Sequence, residues 1–551
     1  MSQRHDKGGK DLAELLQGLP HRAVGPVQGR RVVVVLTDSR RAQPGAMFVA
    51  LPGRGVDGHA FIEQARRQGC TVLVVEEKRL PGPMPVASLG QDGVTWVVVD
   101  DTRKALAHLA AAFFGHPARE MRLIGITGTN GKTTTSYLVE AMVRACGGKP
   151  GVIGTVDYRF GASREPASLT TPEPVTLHGL LRRMADAGVT HVIIEASSHA
   201  LSQERLRGLQ FDVALFTNLS RDHLDFHGDM ESYFQSKQRL FFEQLKDNGA
   251  AVVVVGDEQS PALNWGRRLV AELRDKMAAR SGKTAAKGKG GRGETSGVGP
   301  RAVFDCGDKE GAIVLGPARF SATGIAAEVR TPAGIWPIHS ALVGEFNARN
   351  LLGAVGIGVA LGLDTKQACH GLARVDRIPG RLERVPAAKA AAIFVDFAHT
   401  PDAMENVLQT LKQLAPTRLI VVFGCGGDRD SGKRPLMGQV AGRLGDVVLA
   451  TSDNPRSEDP AKILRQIETG LATTALARQR AEAMLGRVGG RGYDVVESRR
   501  LAIGLAVRYA GPGDIVLISG KGHEEYQITR VGRRHFNDRE EAQRQLCVIN
   551  W

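Results

Sequence analysis

The stretch Arg122-Leu123-Ile124-Gly125-Ile126-Thr127-Gly128-Thr129-Asn130-Gly131-Lys132-Thr133-Thr134 decides how this chain is read. Its apolar start predicts a buried strand over 122–126, and the pattern over 136–145 predicts a helix. The loop between them is glycine-rich, so backbone N–H groups can approach phosphate oxygens. It also leads into a helix N-terminus, which favours negative charge. Lys132 would neutralise the terminal phosphates, and the Thr133 or Thr134 hydroxyl would hold Mg²⁺. The strict spacing GxxxxGK[ST] needs glycine at 126, where this chain has Ile126; the glycine stands at Gly125. The loop is a variant, and Gly128, Thr129, Asn130, Gly131, Lys132, Thr133 and Thr134 are its expected ATP contacts.

Outward from this loop, strand-like runs at 189–195, 213–217 and 250–255 alternate with helical patterns, and a helix over 347–361 closes the region. That order predicts a parallel α/β sheet. Upstream lie strands at 31–36, 46–51, 71–75 and 95–99, with helices at 61–68 and 103–114. Downstream lie strands at 392–396, 419–423, 446–450 and 514–518, with helices at 402–414, 435–443 and 461–471. The expected fold class is α/β in three domains, 1–115, 116–374 and 375–551. A length of 551 residues suits three domains of roughly 100–200 residues.

The hydrophobic fraction of 42% and charged fraction of 24% exclude a wholly disordered chain. No apolar run approaches the roughly 20 residues that cross a bilayer, and the first ten residues lack a secretory signal's apolar stretch. The cysteines at 70, 146, 306, 369, 425 and 547 form no CxxC pair. This argues against a zinc knuckle or disulfide scaffold and for a reducing cytoplasm.

Lys plus Arg exceeds Asp plus Glu, 72 against 58, for a net charge of +14. Between Arg274 and Arg301 the sequence is rich in Gly, Lys and Ala and has little to bury. A mobile surface insertion is expected over about 275–301. It has no interleaved aromatics to stack bases, so nucleic acid is not the expected partner. A reading from another class is a P-loop ATPase that works as a nucleic-acid-binding module, with strongly salt-dependent affinity.

Three residues read differently alone than in company. Glu195 ends a buried strand, where it could hold a metal in the crevice of an open sheet or simply face solvent. His223 alone reads as structural, because hard Mg²⁺ prefers oxygen. Lys237, within a helical pattern, reads as a solvent-facing lysine.

Taken together and in order, the motifs resemble the Mur ligase family of peptidoglycan synthesis. They are GTNGKTTT at 128–135, EASSH at 195–199, NLSRDHLDFHG at 218–228, GEFNARN at 344–350, GRLE at 380–383 and DFAHTPD at 396–402. FGCGGDRD at 423–430, DNPR at 453–456 and SGKGHE at 519–524 continue the match. The resemblance spans nearly the whole chain. It implies an N-terminal uridine-nucleotide binder, a central ATPase and a C-terminal Rossmann-like domain.

It also implies an ATP-dependent acid–amino-acid ligase of cell-wall synthesis. ATP would phosphorylate the γ-carboxylate of UDP-N-acetylmuramoyl-L-alanyl-D-glutamate, and the amine of meso-2,6-diaminopimelate would attack the acyl phosphate. A lysine-adding ligase of the same family is the alternative. By the resemblance, Thr133 and Glu195 would hold the ATP-linked Mg²⁺. His223 and a carbamylated Lys237 would hold a second one, and Lys132, Glu195, His223 and Lys237 form the catalytic set. Asn347, Asn350, Arg381 and Asp396 would contact ATP. Thr37, Ser39, Thr170, Thr171, Ser197, Gln203 and Arg205 would bind the UDP-muramoyl-dipeptide. Arg429, Asp453, Asn454, Pro455, Arg456, Gly520 and Glu524 would bind diaminopimelate. Arg456 would be its selector, since a guanidinium fork matches the extra carboxylate that lysine lacks. The resemblance also implies a monomer that works on small molecules.

Overall fold

The computed structural model describes residues 9–53, 55–80, 93–256, 261–286, 301–307, 311–321, 323–386, 391–487 and 489–549. Three main sheets divide the described chain. The first has five strands, including Val34–Leu36, Ala46–Val49, Val72–Val75 and Thr95–Val98, which run parallel. Arg22–Val24 pairs antiparallel at one edge. The expected strand over 31–36 breaks in two: Arg31–Val32 pairs with Lys10–Asp11, and Val34–Leu36 joins the main sheet.

The second sheet carries the phosphate loop. Its parallel centre runs Pro150–Ile153, His191–Glu195, Arg122–Thr127, Phe211–Phe216, Leu245–Val254 and Ala302–Gly307. Every side chain from Leu123 to Thr127 is buried, as befits a strand covered on both faces. The sheet is not purely parallel, which corrects the sequence expectation. The hairpin Asp157–Phe160 and Ser163–Pro166 extends one end antiparallel. At the other end Ile313–Ser321, Gly324–Thr331 and Gly334–Ser340 form an antiparallel meander. Gly324–Thr331 and Gly334–Ser340 largely alternate inward and outward residues and Ile313–Ser321 is mostly half-exposed or exposed, so they lack the continuous apolar run that marks the central ones.

The basic stretch is also corrected. A helix runs Pro261–Ala286 and extends into the first part of the expected insertion; Leu263, Leu269, Val270 and Leu273, upstream of it, give the helix an apolar face to bury. Residues 287–300 lie outside the described residues.

The third sheet is parallel through Ala392–Asp396, Ile515–Ser519, Leu419–Phe423, Val447–Ala450 and Gly492–Val495, with Glu383–Val385 antiparallel at its edge. The strands over 392–396 and 419–423 match the sequence reading residue for residue. Ligand crevices of such sheets open at the strands' carboxyl ends. The loops after Thr127, Glu195, Ala450 and Ser519 all lie there.

Candidate active site

The phosphate loop is shorter than the spacing suggested. The strand continues to Thr127 and the helix begins at Lys132, four residues before the expected start. Gly125 is a strand residue rather than a loop residue. A Cβ there would come within 2.9–3.0 Å of Leu240 and Phe211, so its glycine serves helix–sheet packing. Gly131 is the loop residue with a geometric demand. Its φ is +87°, and a Cβ would lie 2.2 Å from Asn350 Oδ1. That approach brings the Asn347–Asn350 pair to the loop: Asn350 Nδ2 donates to Asn347 Oδ1, and Asn347 Nδ2 to Val343 O. Asn218, which the residue reading passed over, fixes the loop from the other side. Its Oδ1 accepts from Asn130 N at 3.0 Å, and its Nδ2 donates to Asn130 O at 3.1 Å.

Two lysine side chains converge on the same turn. Lys132 Nζ donates to the carbonyls of Gly128 and Thr129, each at 2.8 Å. Lys237 Nζ donates to the Gly128 carbonyl at 3.0 Å and lies over the Tyr233 ring. Lys237 is buried, not solvent-facing as its helix position suggested. Burial holds its pKa well below the usual lysine range; the Lys132 charge adds to this and Asp222 opposes it.

Glu195 is buried at the end of its strand and gathers hydroxyls. Its Oε2 accepts from Thr133 Oγ1 at 3.0 Å and from Thr155 Oγ1 at 2.7 Å. Thr155 was not among the expected residues. Its signal was its place in the loop after Pro150–Ile153, beside Glu195's own strand. From Thr155 the network runs to Thr170, whose hydroxyl lies 3.2 Å away. Thr171 Oγ1 donates to the Glu195 carbonyl at 2.6 Å and accepts from Ser197 N at 3.1 Å. Arg205 reaches the Thr171 carbonyl, Gln203 Oε1 and Glu173. Thr170, Thr171, Ser197, Gln203 and Arg205 therefore form one connected set with Glu195 and the phosphate loop. Thr37 and Ser39 lie apart from it, just after the strand Val34–Leu36 of the first sheet, with Ser39 opening a short 3-10 turn. Thr37 is exposed, and the Ser39 hydroxyl donates to Gln64 Oε1.

His223 is half-exposed, in a left-handed conformation, with Nε2 3.4 Å from Asp222 Oδ2 and its ring 4.8 Å from that of His199. Among the described residues no group of three or more His, Cys, Asp or Glu side chains is placed to hold a metal. A metal here would need hydroxyl oxygens and a modified lysine. The oxygens of Thr133 and Glu195 suit hard Mg²⁺. Lys237 suits it only as a carbamate, because the amine offers no anion.

The third sheet closes on this centre through Arg381. Its Nη2 lies 3.4 Å from Thr133 Oγ1, and its guanidinium lies over the Phe397 ring. Asp396 accepts from Leu382 N at 2.6 Å and Ala398 N at 2.7 Å, so it shapes the turn that carries Arg381.

The expected acceptor residues also assemble. Asn454 Nδ2 donates to Glu524 Oε2 at 2.8 Å. Gly520 stands against Asp453, where a Cβ would lie 3.2 Å from Oδ2. Arg456 has φ +53° and donates from Nη1 to Gly427 O at 2.8 Å. Pro455 is buried beside Gly427, and Arg429 is exposed on the adjoining loop. Lys521, fully buried among these groups, was not assigned a role from sequence.

Comparison with known proteins agrees along the chain. Models of the Mur ligase family catalytic domain, the Mur ligase middle domain and the Mur ligase glutamate ligase domain match residues 31–114, 126–358 and 380–522. The UDP-N-acetylmuramoyl-L-alanyl-D-glutamate–2,6-diaminopimelate ligase of Geobacter metallireducens is 44% identical over 533 residues, covering 97% of each chain. The chain belongs to the Mur ligase family. Another relative of the same name, from Chlorobaculum tepidum, is 41% identical and covers 96% of this chain and 95% of its own. A solved structure of a ligase with that name is 27% identical, with a TM-score of 0.64, and covers 98% of this chain and 100% of its own. The MurF ligase of Thermotoga maritima in complex with ADP shares the fold at 16% identity and a TM-score of 0.54, covering 94% of this chain and 97% of its own. As a Mur ligase, the chain is an ATP-using ligase. Among the described residues no helix is long and apolar enough to cross a membrane.

Proposed function

We propose that this chain joins meso-2,6-diaminopimelate to UDP-N-acetylmuramoyl-L-alanyl-D-glutamate, with ATP consumed, in peptidoglycan precursor synthesis. The observation that carries the reading is the continuous network through Glu195. It links the phosphate loop at Thr133 to Thr155, Thr171 and Arg205. A phosphoryl donor on the loop and a carboxylate held by the threonine–arginine side would meet at one place.

A carboxylate is a poor electrophile, and two anions must approach for phosphoryl transfer. Lys132 and Arg381 flank Thr133 and offset that repulsion. The γ-carboxylate oxygen attacks the terminal phosphorus, the bond to ADP breaks, and an acyl phosphate forms. The acceptor's free amine then adds to the acyl carbon. The carbon–oxygen bond to phosphate breaks, the amine loses a proton, and amide and phosphate leave. Closure of Arg381 over Thr133 keeps water from the acyl phosphate.

Thr133 and Glu195 would hold one Mg²⁺, and His223 with a carbamylated Lys237 a second. Such ions supply charge neutralisation at the transferred phosphoryl group. The neutral amine that burial favours at Lys237 is the form that adds to CO₂; loss of its proton leaves a carboxylate-like anion. Arg456 selects diaminopimelate over lysine through its second carboxylate. The small substrates need neither nucleic acid nor membrane, and the enzyme acts as a cytoplasmic monomer.

The test is mass analysis of the product formed from the UDP-muramoyl-dipeptide, ATP and diaminopimelate. A product heavier by one diaminopimelate less water supports the reading. Unchanged dipeptide with active, ATP-binding protein contradicts it.

A further inference from the structure

The segment Ser519-Gly520-Lys521-Gly522-His523-Glu524 supplies two acceptor contacts, Gly520 and Glu524, and a lysine with no assigned part. Lys521 is fully buried. Gly520 and Gly522 flank it with φ of +115° and +53°, conformations that L side chains rarely adopt; these turns carry the lysine inward. Its ammonium donates to Asn454 Oδ1 and Glu524 Oε2, each at 3.1 Å, and lies 3.4 Å from Asp453 Oδ1. Two of these partners come from the loop after Val447–Ala450 and one from the loop after Ile515–Ser519. One cation therefore ties together the two loops that form the pocket.

Two orientations follow from that contact. Asn454 Oδ1 accepts from Lys521 Nζ and from Ile528 N at 2.9 Å, so Nδ2 must face Glu524. Turning the amide over would set its N–H groups against two donors. Glu524 Oε2 accepts from both Lys521 and Asn454. Among the described residues Oε1 accepts no hydrogen bond, which leaves it for a ligand cation. Gln527 Nε2 steadies the same loop by donating to Asp453 O at 2.6 Å.

We propose that Lys521 is a positioning residue for the acceptor amino acid: it fixes the Asn454 amide and aims Glu524 Oε1 at an ammonium of diaminopimelate. It rests on the ligase reading above. Lys521 acts through its neighbours and does not touch the reacting atoms.

The test is Lys521→Met, which keeps the length of the side chain and removes its charge. Phosphate release is followed while each substrate is varied in turn. The KM for diaminopimelate should rise roughly 10-fold or more, the loss expected for charged hydrogen bonds. The KM values for ATP and the UDP-muramoyl-dipeptide should stay within about twofold, and Lys521→Arg should fall between Met and wild type. If Lys521→Met fails to fold, seen as lost ATP binding, Lys521→Arg alone should raise the diaminopimelate KM and leave the other two. An unchanged diaminopimelate KM in folded variants, or an equal rise in all three, overturns the proposal. Wild-type protein that binds ATP but releases no phosphate with diaminopimelate overturns the ligase reading itself, an outcome visible before any variant is made.

Discussion

Lys237 and Lys521 are both buried lysines, one beside the phosphate loop and one in the acceptor pocket. Their company differs. Lys521 lies between the carboxylates of Asp453 and Glu524. Lys237 has a backbone carbonyl, an aromatic ring and the neighbouring Lys132, and among the described residues it makes no ion pair. A buried amine without a counter-ion is pushed towards neutrality; one between carboxylates serves as a counter-charge. On the readings proposed above, the same residue type does chemistry in one place and positioning in the other, and the surroundings decide which.

The largest expected effect lies on the Lys237 side. Lys237→Ala should lower kcat by about 10²-fold or more, as removal of one charged group at a phosphoryl-transfer centre does. Added short carboxylic acids should restore part of the rate by taking the place of the carbamate. A folded variant with normal turnover that gains nothing from such acids would erase the contrast between the two lysines.

Next comes the acceptor side. Arg456→Ala should raise the diaminopimelate KM by roughly 10- to 100-fold, the range for a lost charged contact, with the ATP KM unchanged. An unchanged diaminopimelate KM would remove Arg456 as selector.

Burial, helped by the nearby His116, also depresses a base away from the site. His178 is buried in the helix Pro174–Asp186, among the described residues neither ring nitrogen has a hydrogen-bond partner, and burial holds its pKa down at about 4. The unfolded chain takes up this proton near pH 6.5, before the folded one does. The neutral ring's contribution is thus present above pH 6.5 and lost as pH falls from there towards 4. The loss amounts to as much as about 3 kcal/mol. Urea melts of His178→Leu should show a smaller acid-side loss than wild type; identical pH dependence would mean that burial does not depress this base.

The smallest effect concerns the basic stretch. Deleting 287–300 should leave ligase turnover within about twofold, as expected if the surplus charge there serves neither centre. Loss of turnover, or ATP hydrolysis that nucleic acid stimulates, would favour the nucleic-acid reading.

Much of this was legible in sequence where one local rule dominates. The strands over 392–396 and 419–423 are continuous apolar runs buried on both faces, and periodicity places them to the residue. The phosphate loop was recognisable from Gly128 to Thr134, although Gly125 misled the spacing because its glycine answers to Leu240 and Phe211. The meander from Ile313 to Ser340 was missed, since its strands carry no such run. The burial of Lys237 could not be read from its helix, because the Gly128 carbonyl lies 109 residues earlier in the chain. Thr155 and Lys521 gain meaning only when loops from different strands meet. Sequence motifs bring out the residues that recur in a family, and the fold adds those that hold them in place.

The measurement that tests the account most directly is phosphate release from ATP, with the UDP-muramoyl-dipeptide present, comparing meso-diaminopimelate, lysine and no amino acid. The account predicts sustained release with diaminopimelate alone. Equal release with lysine would contradict the role of Arg456, and no release with either amine, in protein that binds ATP, would contradict the ligase reading as a whole.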